Sequence, residues 1–285
     1  MYALLMDTST GGGAPANLDH EQAPLSYLAD RNERPVAYLY EPPEGVPIRS
    51  GKNVKEQMTI LNGRPVAKQL TLDGQGFELV NHETAVRNFY DDAEVKAVYY
   101  PEVAELVKQA TGAKRVVVFD HNVRNGLKMP ERKAGIREPV KFAHNDYTLK
   151  SGPQRVRDLL GDEADELLKH RFAVINVWRS IAGPILESPL AVCDAQSMEL
   201  EDFVGTDLKY RDRTGEVYSI AYNPNHRWYY FPKMAKDEAL LLKCYDSATD
   251  GRARFTAHTS FEDPASPADA PPRESIEART LVFFD

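Results

Sequence analysis

Downstream of Lys114 the chain alternates short apolar-rich runs with turn residues: RVVVFDHNV, PVKFAHNDYT, RFAVINVWRSI, LAVCDAQS, VYSIAYNP, HRWYYFP, ALLLKCYDS, ARFTAHTSFED and SIEARTLVFF. Runs rich in Val, Ile, Phe and Tyr and bounded by Gly, Pro, Asn or Asp predict strands. One helical pattern interrupts them at 152–170, where Val156, Leu159, Leu160, Leu167 and Leu168 fall on one face. So many strands without helices between them exclude a doubly wound parallel sheet. They predict a mainly β fold with flanking helices, an antiparallel sandwich or a jelly-roll (double-stranded β-helix) core. Upstream, PVAYLYEPP, QMTIL, VAKQLTL and FELV predict further strands, and residues 82–90 and 91–111 a helical pair ending at Gly112. Residues 1–35, with Gly11 to Gly13, Pro15 and Pro24, read as an N-terminal arm without packed elements. Residues 36–285 then form a single jelly-roll domain, with helical insertions at about 91–111 and 152–170.

Composition narrows the partners. The 285 residues carry a formal net charge of −8, which speaks against an electrostatically driven binder of nucleic acid or anionic membrane. Two cysteines, Cys193 and Cys244, are too few for a disulfide scaffold and predict a reducing compartment. The opening residues have no basic stretch followed by an apolar one, and no later run is long enough for a membrane span. The expectation is a cytoplasmic protein with a small-molecule substrate. RVVVFDHNVRNG lacks the glycine spacing of a dinucleotide fold, which excludes the nearest nucleotide-cofactor reading.

The sharpest local pattern is His144-Asn145-Asp146. Residues two apart on a strand face the same side, so the imidazole and carboxylate can reach one metal ion and supply half of a 2-His-1-carboxylate triad for Fe(II). By itself the pattern is weak, since this composition yields about 0.5 such pairs by chance. Its context adds weight. His258 lies downstream on another β-like run, and Arg273, Ser275 and Arg279 share one strand parity beyond it. An inward Arg with a hydroxyl two residues on suits a distal carboxylate, which guanidinium binds bidentately. That order is the one expected of a 2-oxoglutarate oxygenase.

The segments HND, INVWRSIAGP, PLAVCDAQS, YNPNHRWYYFPKM, DEALLLKCYDS, HTSFEDP and PPRESIEARTLVFF resemble the AsaB/CmcJ-type hydroxylase and desaturase family, which includes the gibberellin GA4 desaturase-like proteins. The resemblance spans roughly residues 30–285. It implies an enzyme of secondary metabolism that uses Fe(II), 2-oxoglutarate and O2 to hydroxylate or desaturate a small organic molecule. Carried over by motif, His144 and Asp146 are iron ligands. The third ligand is His258, preferred for its place before the Arg strand, with His226 as the alternative. Arg273 with Ser275 is the candidate for the far carboxylate of 2-oxoglutarate and Arg279 the competitor, while Arg179 and Tyr222 lie on other core strands within reach. The opposing reading is a cupin-like jelly roll that binds metal or a small ligand without 2-oxoglutarate chemistry. The arm, residues 122–139 and the loop Pro264 to Pro272 are the candidate covers. The basic set Arg124, Lys128, Arg132, Lys133 and Arg137 reads first as a solvated loop and second as a hint of an anionic substrate.

Overall fold

The computed structural model describes residues 18–126, the backbone of 136–137, and residues 139–285. Along the chain come β1 (His20–Leu28), β2 (Val36–Tyr38), β3 (Asn53–Asn62), a 3-10 turn at Arg64–Gln69 and β4 (Phe77–Asn81). A helical segment follows, α1 (Asp92–Glu94), a π turn (Val95–Tyr99) and α2 (Tyr100–Thr111), then β5 (Arg115–Asn125), β6 (Ile136–Arg137) and β7 (His144–Asn145). Next are α3 (Ser151–Leu160) and α4 (Ala164–Leu167), β8 (Phe172–Ser180), β9 (Leu190–Cys193), β10 (Phe203–Lys209) and β11 (Thr214–Ile220). Finally come β12 (Trp228–Tyr230), β13 (Glu238–Asp246), β14 (His258–Ser260) and β15 (Glu274–Phe283).

The strands form two sheets, β1-β3-β12-β9-β14-β7-β11-β10-β2 and β4-β13-β8-β15-β5-β6. Together they make the jelly roll that the strand pattern predicts. The alternation of β8 shows how the layers are built. Phe172, Val174 and Trp178 face the core between the sheets, while Ala173, Ile175 and Val177 face the outer layer that α2 covers with Val103, Leu106 and Val107. Burying each such aliphatic side chain contributes about 1.5–3 kcal/mol. The helical segment starts on Asp91, whose carboxylate accepts from the amides of Ala93 and Glu94, and ends at Gly112, whose φ of 71° closes it in the left-handed region. The π turn ahead of α2 has a local cause. Pro101 has no amide hydrogen and its ring crowds the turn before it, so that turn widens.

Several expectations are corrected. The stretch read as an arm contributes β1, whose Ala23, Leu25 and Tyr27 are buried in the core. VAKQLTL is not a strand, because Pro65 opens a 3-10 turn there. Residues 82–90 carry no helix. The strands expected around His144 and His258 shrink to two and three residues. Gly11 to Gly13 and the basic residues Lys128, Arg132 and Lys133 lie outside the described residues, as does the Arg137 side chain. No helix among the described residues is long and apolar enough to cross a membrane.

Candidate active site

β7 and β14 are neighbours, and His144 is the direct register partner of His258. Their rings stand 4.4 Å apart between centroids. Asp146 follows β7 on the same parity as His144, and the ligand atoms of His144, Asp146 and His258 all lie within 4.8 Å of one another. Asn145, on the opposite face, is the staple that sequence reasoning missed. Its amide donates to the carbonyls of Tyr147 (2.6 Å) and Cys244 (2.9 Å), and its oxygen accepts from the Thr256 amide. These bonds tie the His-x-Asp corner to β13 and to the segment leading into β14.

Both rings are fixed the same way. His144 Nδ1 bonds the Phe142 carbonyl at 2.9 Å and His258 Nδ1 the Thr256 carbonyl at 3.0 Å. A carbonyl only accepts, so each Nδ1 carries the hydrogen and each Nε2 presents its lone pair. His258 Nε2 is buried and has no hydrogen-bond partner among the described residues. Burial, reinforced by His258, holds the His144 pKa down at about 3, so the ring is neutral at physiological pH. Although burial alone would raise it, Asp146 lies well below the usual carboxylate range because the Arg279 guanidinium, helped by the Asn176 hydrogen bond, stabilises its anion. Asp146 Oδ2 accepts from Asn176 Nδ2 (2.8 Å) and from Arg279 Nε (3.2 Å). Oδ1 lies 3.7 Å from His144 Nε2. Two imidazoles that each present Nε2, and one anchored carboxylate, with a nitrogen lacking any partner among the described residues, fit a divalent metal of borderline character such as Fe(II).

Of the two histidines left open as third ligand, the geometry brings only His258 to the other two. His226 is buried elsewhere, with Nε2 3.0 Å from Asp202 Oδ2 and Nδ1 3.3 Å from the Tyr27 hydroxyl. The arginines also separate. Arg279 and Asn176 are cross-strand partners on β15 and β8 and meet on Asp146, and Arg279 additionally reaches Asp120 and Glu277. Its donors are therefore engaged by three carboxylates. Arg273 is buried, donates through Nη1 to the Ser188 carbonyl (2.6 Å) and Ser260 Oγ (3.2 Å), and lies over the Trp178 ring. Its Nε and the Ser275 hydroxyl have no partner among the described residues, and it makes no ion pair with any of them. Burial, and then the charge of Arg124, lowers its pKa well below the ordinary guanidinium value. Arg179 is a correction. On β8 it has the parity of the outer layer, where it bonds His82 and the Lys236 carbonyl beside Tyr99, on the far side of the sheet from Asp146. Tyr222 stacks edge-on against Tyr27, in the His226 cluster.

His144, Asp146 and Arg279 form one wall of a cavity of about 680 Å3 bounded elsewhere by Arg49, Tyr147 and Arg155. A jelly roll with this donor set beside a cavity defines the class of non-haem metal oxidoreductases.

The sequence profile of the oxidoreductase/YMDC permease-like domain family matches residues 25–283. The hydroxylase/desaturase efuI of Hormonema carpetanum is 37% identical over 239 residues, covering 76% of this chain and 80% of the relative. The Fe(II)/2-oxoglutarate-dependent dioxygenase nvfI of Aspergillus novofumigatus is 33% identical over 229 residues, covering 78% and 81%. The solved structure of the iron and alpha-ketoglutarate-dependent endoperoxidase NvfI superposes with a TM-score of 0.84 at 27% identity, over 92% of this chain and 97% of that one. The chain belongs to this family of hydroxylases/desaturases and Fe(II)/2-oxoglutarate-dependent dioxygenases.

Proposed function

We propose that His144, Asp146 and His258 hold the Fe(II), that Arg273 with Ser275 receives the far carboxylate of 2-oxoglutarate, and that a small organic molecule in the adjoining cavity is hydroxylated or desaturated. The observation that carries the reading is the buried, unpartnered Nε2 of His258 beside its register partner His144. Bound iron, with 2-oxoglutarate and O2, supplies the oxidising power to remove hydrogen from an unactivated carbon, leaving succinate and CO2 as co-products.

The chain's own residues supply binding and orientation. Main-chain carbonyls fix both ring tautomers, and Asn176 and Arg279 occupy one oxygen of Asp146 so that the other faces the histidines. Ser260, which accepts from Arg273, sits two residues beyond His258 on the same face of β14. Two residues along a strand span about 6.6 Å, a length suited to a five-carbon dicarboxylate reaching from the donor set to the guanidinium. The unpartnered Arg273 Nε and Ser275 hydroxyl are the groups such a carboxylate would satisfy. Both cysteines are buried and free, in keeping with work in a reducing compartment such as the cytoplasm.

The test is an anaerobic titration of the protein with Fe(II) and 2-oxoglutarate, following the visible charge-transfer band of the chelated co-substrate. The band should form in the wild type and in His226→Ala and vanish in His258→Ala. Iron binding without a band would instead favour a cupin-like metal protein.

A further inference from the structure

The cavity beside the donor set has a charge character opposite to that of the chain. Seven cationic side chains line it against four carboxylates, in a protein with a net charge of −8. The carboxylates are largely engaged. Asp207 and Glu216 are bound by Arg34, Asp146 by Arg279, and Asp158 accepts from Gln154. Arg49 and Arg155 have no such counter-charge among the described residues. Arg49 stacks on Phe142, 3.8 Å above the ring centroid, and Phe142 in turn packs against His144. Burial lowers the Arg49 pKa, a sign that its cation is poorly solvated where it stands. Arg155, on α3, lies 5.7 Å from the Phe119 ring, and its Nε is buried with no hydrogen-bond partner among the described residues. Neither arginine forms an ion pair with a described carboxylate, so each lines the cavity with donors that the protein leaves unfilled.

We propose that the cavity is built for an organic acid, whose carboxylate is received by Arg155 and Arg49 while its carbon skeleton lies across His144 and Asp146. This deepens the reading given above and rests on Arg273, which lies outside the cavity lining, as the residue that holds the co-substrate. An aryl or alicyclic body suits the aromatic rims at Phe142 and Tyr147. A neutral substrate of the same shape would leave two cations without partners, and the site would select against it.

The test uses two probes of equal shape and different charge, naphthoate and naphthamide, titrated anaerobically into the Fe(II)- and 2-oxoglutarate-loaded protein by calorimetry. Naphthoate should bind at least about tenfold more tightly than naphthamide, as charge-assisted bonds to guanidinium demand. Arg155→Gln and Arg49→Gln should each weaken naphthoate by about fivefold or more and naphthamide by less than about twofold. The 2-oxoglutarate titration midpoint, followed by the charge-transfer band, serves as the fold control and should stay within about twofold of the wild type. Equal affinity for the two probes overturns the proposal, as does failure of both to bind at millimolar concentration. A rise of about tenfold or more in the 2-oxoglutarate midpoint in either variant also overturns it, and it would additionally remove the co-substrate role from Arg273.

Discussion

Two buried histidines, His258 on β14 of the larger sheet and His226 in the turn just before β12, each have an aspartate nearby, and their hydrogen bonds run in opposite senses. At His226 the protein completes every group. Trp228 Nε1 donates to the Tyr27 hydroxyl at 2.6 Å, that hydroxyl meets His226 Nδ1, and His226 Nε2 meets Asp202, which also accepts from the Glu199 amide and the Asn223 side chain. Burial pushes the Tyr27 phenol well above its ordinary value, so it stays a donor and Nε2 is the protonated ring nitrogen. At His258 the tautomer is reversed. Nδ1 is tied to the main chain and Nε2 points at no group among the described residues. One cluster is closed and structural, whereas the other is complete only with something added. The difference lies in the count of satisfied atoms rather than in burial, since both rings are buried.

The widest separation between the clusters should come from deleting each imidazole. His258→Ala should lower iron-dependent succinate formation by about 1000-fold or more, because two donors do not hold the metal in a defined geometry. His226→Ala should retain the charge-transfer band while losing about 1–3 kcal/mol of stability, as Asp202 and Tyr27 each lose a buried partner. Loss of the band in His226→Ala, with the protein folded, would break the comparison.

Arg273 and Arg279 repeat the contrast one shell further out, and the expected effects are smaller. Arg273→Met should raise the 2-oxoglutarate dissociation constant by about 10–100-fold with iron affinity unchanged, since it removes the charge-assisted bonds to the carboxylate and none to His144, Asp146 or His258. Asn176→Ala should do the reverse, weakening iron by about tenfold through a loosened Asp146. Equilibrium dialysis for iron and the band titration for 2-oxoglutarate separate the two.

The His-x-Asp pair and the Arg-x-Ser parity were legible because period-two spacing determines which side chains share a face. The choice between His258 and His226 was less so. Both sit in β-like runs, and what distinguishes them is a register partner on β7 and a hydrogen-bond chain from Tyr27, contacts that no local pattern encodes. β1 was hidden by its surroundings. Ala23, Leu25 and Tyr27 alternate correctly, but Pro24 and the preceding glycines suggest a loop. The strand tolerates Pro24 because it lies at the sheet edge, where a missing amide breaks no ladder. β10 was missed for a similar reason. Gly205 weakens its pattern, yet a Cβ there would stand 2.7 Å from Arg34 Nη1, so glycine is what lets Arg34 cross the strand to Asp207 and Glu216. The Arg279 cluster was legible only in part, since Glu277 on the same strand was visible as a partner but Asp146 and Asp120 arrive from other strands.

The smallest predicted effect concerns acid, and it tests the closed cluster by itself. Burial lowers the His226 pKa from its ordinary 6.5, and the hydrogen bond and charge of Asp202 only partly oppose this. A histidine whose folded pKa is depressed binds fewer protons folded than unfolded, so its contribution to stability is present above pH 6.5 and is lost as pH falls from 6.5 toward the folded value. The slope from one such group is at most about 1.4 kcal/mol per pH unit. Metal-free protein should therefore lose stability below pH 6.5, and His226→Gln, which has no proton to take up, should lose less over the same range. Urea denaturation of both proteins at pH values on either side of 6.5 measures this. Parallel curves would mean that the fold does not shift His226 at all, whereas a wild-type stability that rises relative to the variant as pH falls toward 6.5 would mean that Asp202 holds His226 protonated, making the cluster an ion pair rather than the neutral chain of donors drawn from Trp228 to Asp202.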